Sequence, residues 1–241
     1  MRKTTHKKNY ILFKLKDTEL EAGFRLSIQN AEELFEEATL LKNAKRFARA
    51  YTLFQLSIEE TGKGLILFSS ISDYYQGVEI TNLYLEEKGF FKHNPKTLKS
   101  IILETILLST IDGKISTLLK HEAMVDFMKV KETDSDKNAS LYVSIENQKF
   151  KSPSEVISKE MVEEKKFKAL MRIHAIKGFF LPLSKIKELT ELMNEAINTP
   201  EKLEAMEKSV AEKFLDIDID LLKNALEYRA KNKVSLTFSN M

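Results

Sequence analysis

One stretch constrains this chain more than any other: residues 45–70, KRFARAYTLFQLSIEETGKGLILFSS. Phe47, Tyr51, Phe54, Ile58, Gly62 and Leu65 recur every three or four positions, which at about 3.6 residues per turn draws one stripe along a helix. Leu53, Leu56 and Leu67 project about half a turn away from that stripe. A helix apolar on more than one side is expected to be surrounded by other elements, so the chain should be built around this one. Glu59, Glu60 and Lys63 nevertheless sit in its middle. In an enclosed helix such charges must be paired, or their ionisation shifts.

Two readings of the three charges stand. Lys63 follows Glu59 by four residues and Glu60 by three, so one ammonium can serve both carboxylates as a structural ion cluster. Buried pairs of this kind are weak evidence for stability, because desolvation offsets much of their attraction. Perturbed charged groups also gather at functional sites, which makes the same residues site candidates.

The rest of the chain reads as helices around this centre. Phe24, Ile28, Ala31, Phe35 and Ala38 form the stripe of an amphipathic helix over 19–42, with Glu32, Glu33, Glu36 and Glu37 on its other side. A short turn at Asn43-Ala44 predicts an antiparallel helical hairpin. A shorter helix is expected within 78–88, ending near Gly89. In Lys92-His93-Asn94-Pro95-Lys96, Asn94 suits an N-cap and Pro95 the first helical position of an apolar helix running to Asp112. His93 then lies beside a helix N-terminus, a setting that favours an anion, with Lys92, Lys96 and Lys99 adding positive field. After Gly113 another helix should reach about Val130.

Residues 131–139, KETDSDKNA, read as a polar linker, and Leu141–Ile145 with Lys149–Lys151 as one small β-hairpin turning at Asn147. Ser152, Pro153 and Glu155 fit the start of a capped helix over 153–180. Its Lys165, Lys166, Lys168, Arg172, His174 and Lys177 spread around the axis, as on a solvated face. Helices to about Asn198 and from Pro200 toward Ala230 complete the pattern. The division expected is a basic N-terminal arm over 1–16, frayed and solvated or else a phosphate-binding tail; a helical domain over 17–198; and a C-terminal helix and tail over 199–241.

Composition excludes several chemistries. Without cysteine there are no disulfides, thiolate metal sites or thiol nucleophiles, which is compatible with a cytoplasmic setting. No Gly-x-Ser-x-Gly and no P-loop occur, and seven glycines provide no phosphate cradle. No histidine has a glutamate three residues before it, so a metal site of the bundle type is not expected, nor is a cofactor. No run approaches the ~18 apolar residues of a membrane span, so no membrane association is expected. A net charge of +2 is too small to argue for nucleic acid; any RNA contact must come from a local patch.

Asn30-Ala31, Leu34, Glu37-Ala38, Leu41, Arg46, Ala50-Tyr51 and the run Ser57–Lys63 together resemble the AbiV family of bacterial abortive-infection proteins, within the HEPN superfamily. The resemblance is densest over 24–68. It implies a mainly α, HEPN-like antiparallel helical bundle with a short β-hairpin insert and a C-terminal helical extension. It also implies a phage-defence effector that arrests host translation, a homodimer, and a phage protein as trigger. Many HEPN proteins are metal-independent ribonucleases whose arginine precedes a histidine by five to seven positions. That pairing is not intact here: Lys88 stands five before His93, and lysine lacks the planar fork that grips two phosphate oxygens. The site expected is His93 as acid/base or phosphate contact, Glu60 and Lys63 as the charged core beside it, and Lys88, Lys92 and Lys96 as phosphate ligands, acting on RNA or the ribosome. The alternative is a non-catalytic helical module or toxin that works through a protein partner, with Glu59, Glu60 and Lys63 purely structural.

Overall fold

The structure, a computed structural model, describes residues 12–109 and 124–178, together with positions 187 and 191. Helix α1 (Asp17–Asn43) and helix α2 (Phe47–Tyr75) form the expected hairpin. The reversal is closed by Arg46 N–H donating to the Leu41 carbonyl at 2.8 Å, with Lys45 at φ 59°. Then come α3 (Asn82–Glu87), α4 (His93–Ser109), a helical stretch over 124–128, and α5 (Val130–Leu141). A hairpin of β1 (Ser144–Glu146) and β2 (Lys149–Lys151) leads into α6 (Pro153–Val156) and α7 (Lys159–Gly178).

Helix α2 is the centre that its two-sided apolar pattern predicts, packed by α1, α4, α5 and α7. Toward its N-terminal half, Tyr51, Phe54 and Ile58 bury against Ala38, Val162 and Ala169. Toward its C-terminal half, Ile66, Leu67 and Ile71 bury against Leu20, Phe24, Met171 and Ile176. The two apolar clusters bracket a polar middle, and that middle holds the charged residues of α2.

Several elements differ from their sequence expectations. The polar segment 131–139 is not a linker but most of α5, whose buried residues are Val130 at its start and then Lys137 and Ser140. Ser140 Oγ lies 2.6 Å from Thr52 Oγ1 on α2, so the helix is anchored by polar contacts that a search for apolar periodicity passes over. The helix expected over 153–180 breaks at Ile157, which turns out of helical geometry and buries at 2% exposure. Its capping box is as expected, with Ser152 N–H donating to Glu155 Oε2 at 2.7 Å. The basic residues of α7 do not form one solvated face: Lys177 is exposed, but Arg172 is 2% exposed, donating from Nε to Glu104 at 2.9 Å and from Nη1 to Ser100 at 3.2 Å.

The last residues of the expected frayed arm are held: Leu15 N–H donates to the Ile80 carbonyl at 2.8 Å, and Leu15 packs on the core. The hairpin pairs Ile145 with Phe150 and turns through Asn147 and Gln148, both at positive φ as a two-residue turn demands. The break at Gly113, the helices toward Asn198 and Ala230, the segment 199–241 and residues 1–11 lie outside the described residues. Among the described residues, no helix is long and apolar enough to cross a membrane.

Candidate functional site: a buried carboxylate held by a histidine and two lysines

Gly62 explains why α2 and α4 can meet at the polar middle. A Cβ there would lie 1.9 Å from the Lys96 carbonyl oxygen, so only a glycine lets the α4 backbone come this close. The approach carries the first turn of α4 onto Glu59. His93 Nδ1 sits 2.6 Å from Glu59 Oε2, and Lys96 Nζ is 3.5 Å from the same oxygen. From α5, Lys137 Nζ donates to Glu59 Oε1 at 3.0 Å and also pairs with Asp134 at 3.0 Å.

Glu59 is 2% exposed. Burial pushes its carboxyl up, but the hydrogen bonds from His93 and Lys137, with the positive charges behind them, outweigh that and hold it below the usual carboxylate range. Lys96 is lowered from its ordinary value, chiefly by burial and also by neighbouring Lys63, against the pull of Glu59. His93 differs from both lysines in being half exposed, at 52%, while the lysines are at 7% each. With Nδ1 engaged by Glu59, Nε2 is the ring nitrogen left to exchange a proton with a ligand. A buried carboxylate that orients an accessible imidazole is the base-and-orienter half of many catalytic sites.

The residues named from the sequence are partly brought together. Glu60 and Lys63 pair with each other at 2.5 Å, and Lys63 lies 5.6 Å from the Phe90 ring centroid. Lys63 therefore does not serve both glutamates in the way that its spacing allows. Consecutive helical residues point about 100° apart, so Glu59 turns to α4 and α5 while Glu60 turns aside. The glutamate at His93 is Glu59, not Glu60. Lys96, expected to reach a phosphate, is buried beside Glu59 instead. Lys88 lies 3.5 Å from Asp73 and over the Tyr84 ring, with its ammonium favoured by the Tyr84 hydroxyl. Lys92 is exposed next to His93. Lys137 carries no sequence signal of its role: its segment reads as a polar linker, and it stands 78 residues from the glutamate it holds.

A family model described as AbiV matches residues 19–169. The chain belongs to the AbiV family. The match covers well over half of its 241 residues and includes Glu59, His93, Lys96 and Lys137. Membership in this HEPN-like family assigns the protein to abortive infection, a defence against phage. The mainly helical structure with one short antiparallel hairpin is consistent with the HEPN-like fold of AbiV proteins. No curated protein and no solved structure matches the chain significantly. Among the described residues, no cluster of three His, Asp or Glu side chains is placed to hold a metal ion.

Proposed function

We propose that this AbiV protein is an RNA-directed effector that stops host translation by metal-independent cleavage at His93. The observation that carries the reading is the 2.6 Å contact between an accessible histidine and a buried, ionised glutamate. In this reading the ribose 2′-oxygen attacks the adjacent phosphorus and its proton passes to His93 Nε2. The bond to the 5′-oxygen breaks, that oxygen takes a proton from water, and the products are a 2′,3′-cyclic phosphate and a 5′-hydroxyl. Glu59 orients the imidazole and stabilises it once charged. Lys92, exposed beside His93, supplies positive charge for the phosphate, in place of the arginine of other HEPN nucleases. The active species is a homodimer, with a phage protein as its trigger.

A second reading rests on a different observation. Ile145 and Phe150 pair across the hairpin at 66% and 77% exposure, an apolar surface suited to a protein partner of a non-catalytic toxin. One experiment separates the two. Wild type and His93→Ala are induced to equal soluble levels in a bacterial host, and growth, bulk translation and RNA ends are followed. Arrest by wild type with rescue by the variant, and new 5′-hydroxyl ends only in the former, supports the nuclease. Equal arrest by both moves the assignment to the protein-binding toxin.

A further inference from the structure

One helical turn before Glu59, at Gln55, the polar middle of α2 opens into a cavity of 210 Å³ between α2, α4, α5 and α7. At about 30 Å³ per water that is room for roughly seven waters. Lys165 borders it from α7. Its Nζ donates to Gln55 Oε1 at 3.1 Å and lies 4.8 Å from the Tyr51 ring centroid, so both direct partners are neutral. Lys168 and Arg172 follow Lys165 by three and seven residues, which puts the three basic groups on one face of α7. Those two have carboxylates of their own. Lys168 pairs with Asp126 at 2.7 Å and Glu164 at 2.6 Å, and Arg172 with Glu104 at 2.9 Å and Asp126 at 3.3 Å.

An amine so placed favours its neutral form. Burial comes first, and the charges of Lys168 and Arg172 add to it against the pull of Asp126 and Asp136, bringing the Lys165 amine down to about 7. From α2 and α4 the cavity presents Tyr51, Gln55 and Thr97, none of them charged at that pH, since burial and Asp136 push the Tyr51 hydroxyl well up. One N–H of the neutral amine goes to Gln55, which leaves the lone pair to attack carbon. A desolvated lysine beside other cations is the setting of an imine-forming amine. The wall narrows the electrophile. With Lys165 neutral, its three other basic side chains stand against four carboxylates, which disfavours a carbonyl compound that bears an anion. A protonated imine at Lys165 restores the balance. Tyr51, Ile101 and Met161 supply apolar wall for a short carbon chain.

We propose that Lys165 is a covalent binding site for a small uncharged aldehyde, held in the cavity as an imine on Nζ. The Nζ lone pair attacks the carbonyl carbon, and the carbonyl π pair moves to oxygen, which takes up a proton as nitrogen gives one up. The nitrogen pair of this carbinolamine closes the C=N bond while the hydroxyl, taking a further proton, leaves as water. One aldehyde and one proton are consumed, one water is released, and no oxidation state changes. Asp136, to which the Tyr51 hydroxyl donates at 3.3 Å, is a carboxylate of the same wall through which these protons can pass. The site stands apart from the nuclease reading, which uses His93.

The test is reductive trapping on the full-length protein at pH 7. Butanal is the uncharged aldehyde and glyoxylate the anionic one, each with cyanoborohydride, which delivers hydride to the imine carbon and fixes it as a secondary amine. Peptide mass spectrometry gives the rate at each lysine, taken relative to the exposed lysines with the same reagent. The expected result is butylation of Lys165 at least about tenfold faster than of any exposed lysine, saturating with butanal concentration, and a preference lost with glyoxylate. Lys165→Met, checked for folding by circular dichroism, should lose the saturable label and keep the rest. Labelling of Lys165 no faster than of exposed lysines, a rate that rises without saturation, or the same preference with glyoxylate overturns the proposal.

Discussion

Glu59 and Lys165 share one polar seam with opposite charge balance: the first is buried as an ion, and burial works against the charge of the second. Glu59 keeps its charge because a histidine and two lysines converge on it. Its carboxyl is held below the ordinary 4.5, so the stabilisation it contributes is fully present above that value and is lost as pH falls through the lower folded-state value. Glu59→Gln should cost about 3–5 kcal/mol at pH 7, because Lys96 and Lys137 remain buried without their carboxylate. The gap to wild type should close in acid, as read from urea unfolding across pH. Lys165 has the opposite balance. Its amine is near 7 in the fold and 10.5 as the ordinary value, so between those pH values the unfolded chain binds more protons and stability rises with pH. Lys165→Met should remove that rise and stabilise the protein at pH 7 by about 1–4 kcal/mol, with the advantage gone above pH 10.5.

At the level of elements, the crossing of α2 and α4 depends on Gly62. Any side chain there strikes the α4 backbone rather than a flexible group, so Gly62→Ala should force the helices apart. A loss of about 1–3 kcal/mol is expected in thermal unfolding, together with a histidine NMR signal at His93 that no longer reports contact with Glu59. Gly89 ends α3 at φ +90°, with Pro95 packed where a side chain would be, and so feeds the chain into the first turn of α4. Helices α1 and α2, whose inward faces are apolar, were legible from spacing, and the exposed hairpin from its β-branched residues and its turn at Asn147. Helix α5 was not, because beyond Val130 at its start the residues it buries are Lys137 and Ser140, and so polar an inward face has no hydrophobic period. The same reason hid the burial of Arg172, which reads as surface charge until Glu104 and Ser100 are found opposite it.

For the molecule as a whole, Arg172 joins α7 to α4 and to the helical stretch carrying Asp126. Arg172→Ala should destabilise by about 3–5 kcal/mol, leaving Glu104 buried without its cation, and should appear as a lower midpoint of cooperative unfolding. His93→Gln, by contrast, changes a half-exposed residue. It should leave the unfolding midpoint close to wild type while lowering RNA cleavage by about a hundredfold or more, measured on labelled RNA in EDTA. Local spacing within the chain is enough to establish a helical bundle centred on α2 and the family to which it belongs, since the stripe and the run Ser57–Lys63 are local features. The make-up of the site is not local. Glu59 meets His93 across 34 residues and Lys137 across 78, and the choice of Glu59 over Glu60 follows from a rotation of about 100° that matters only once α4 and α5 have packed against α2. Periodicity states which face of a helix is buried; packing alone decides what that face meets.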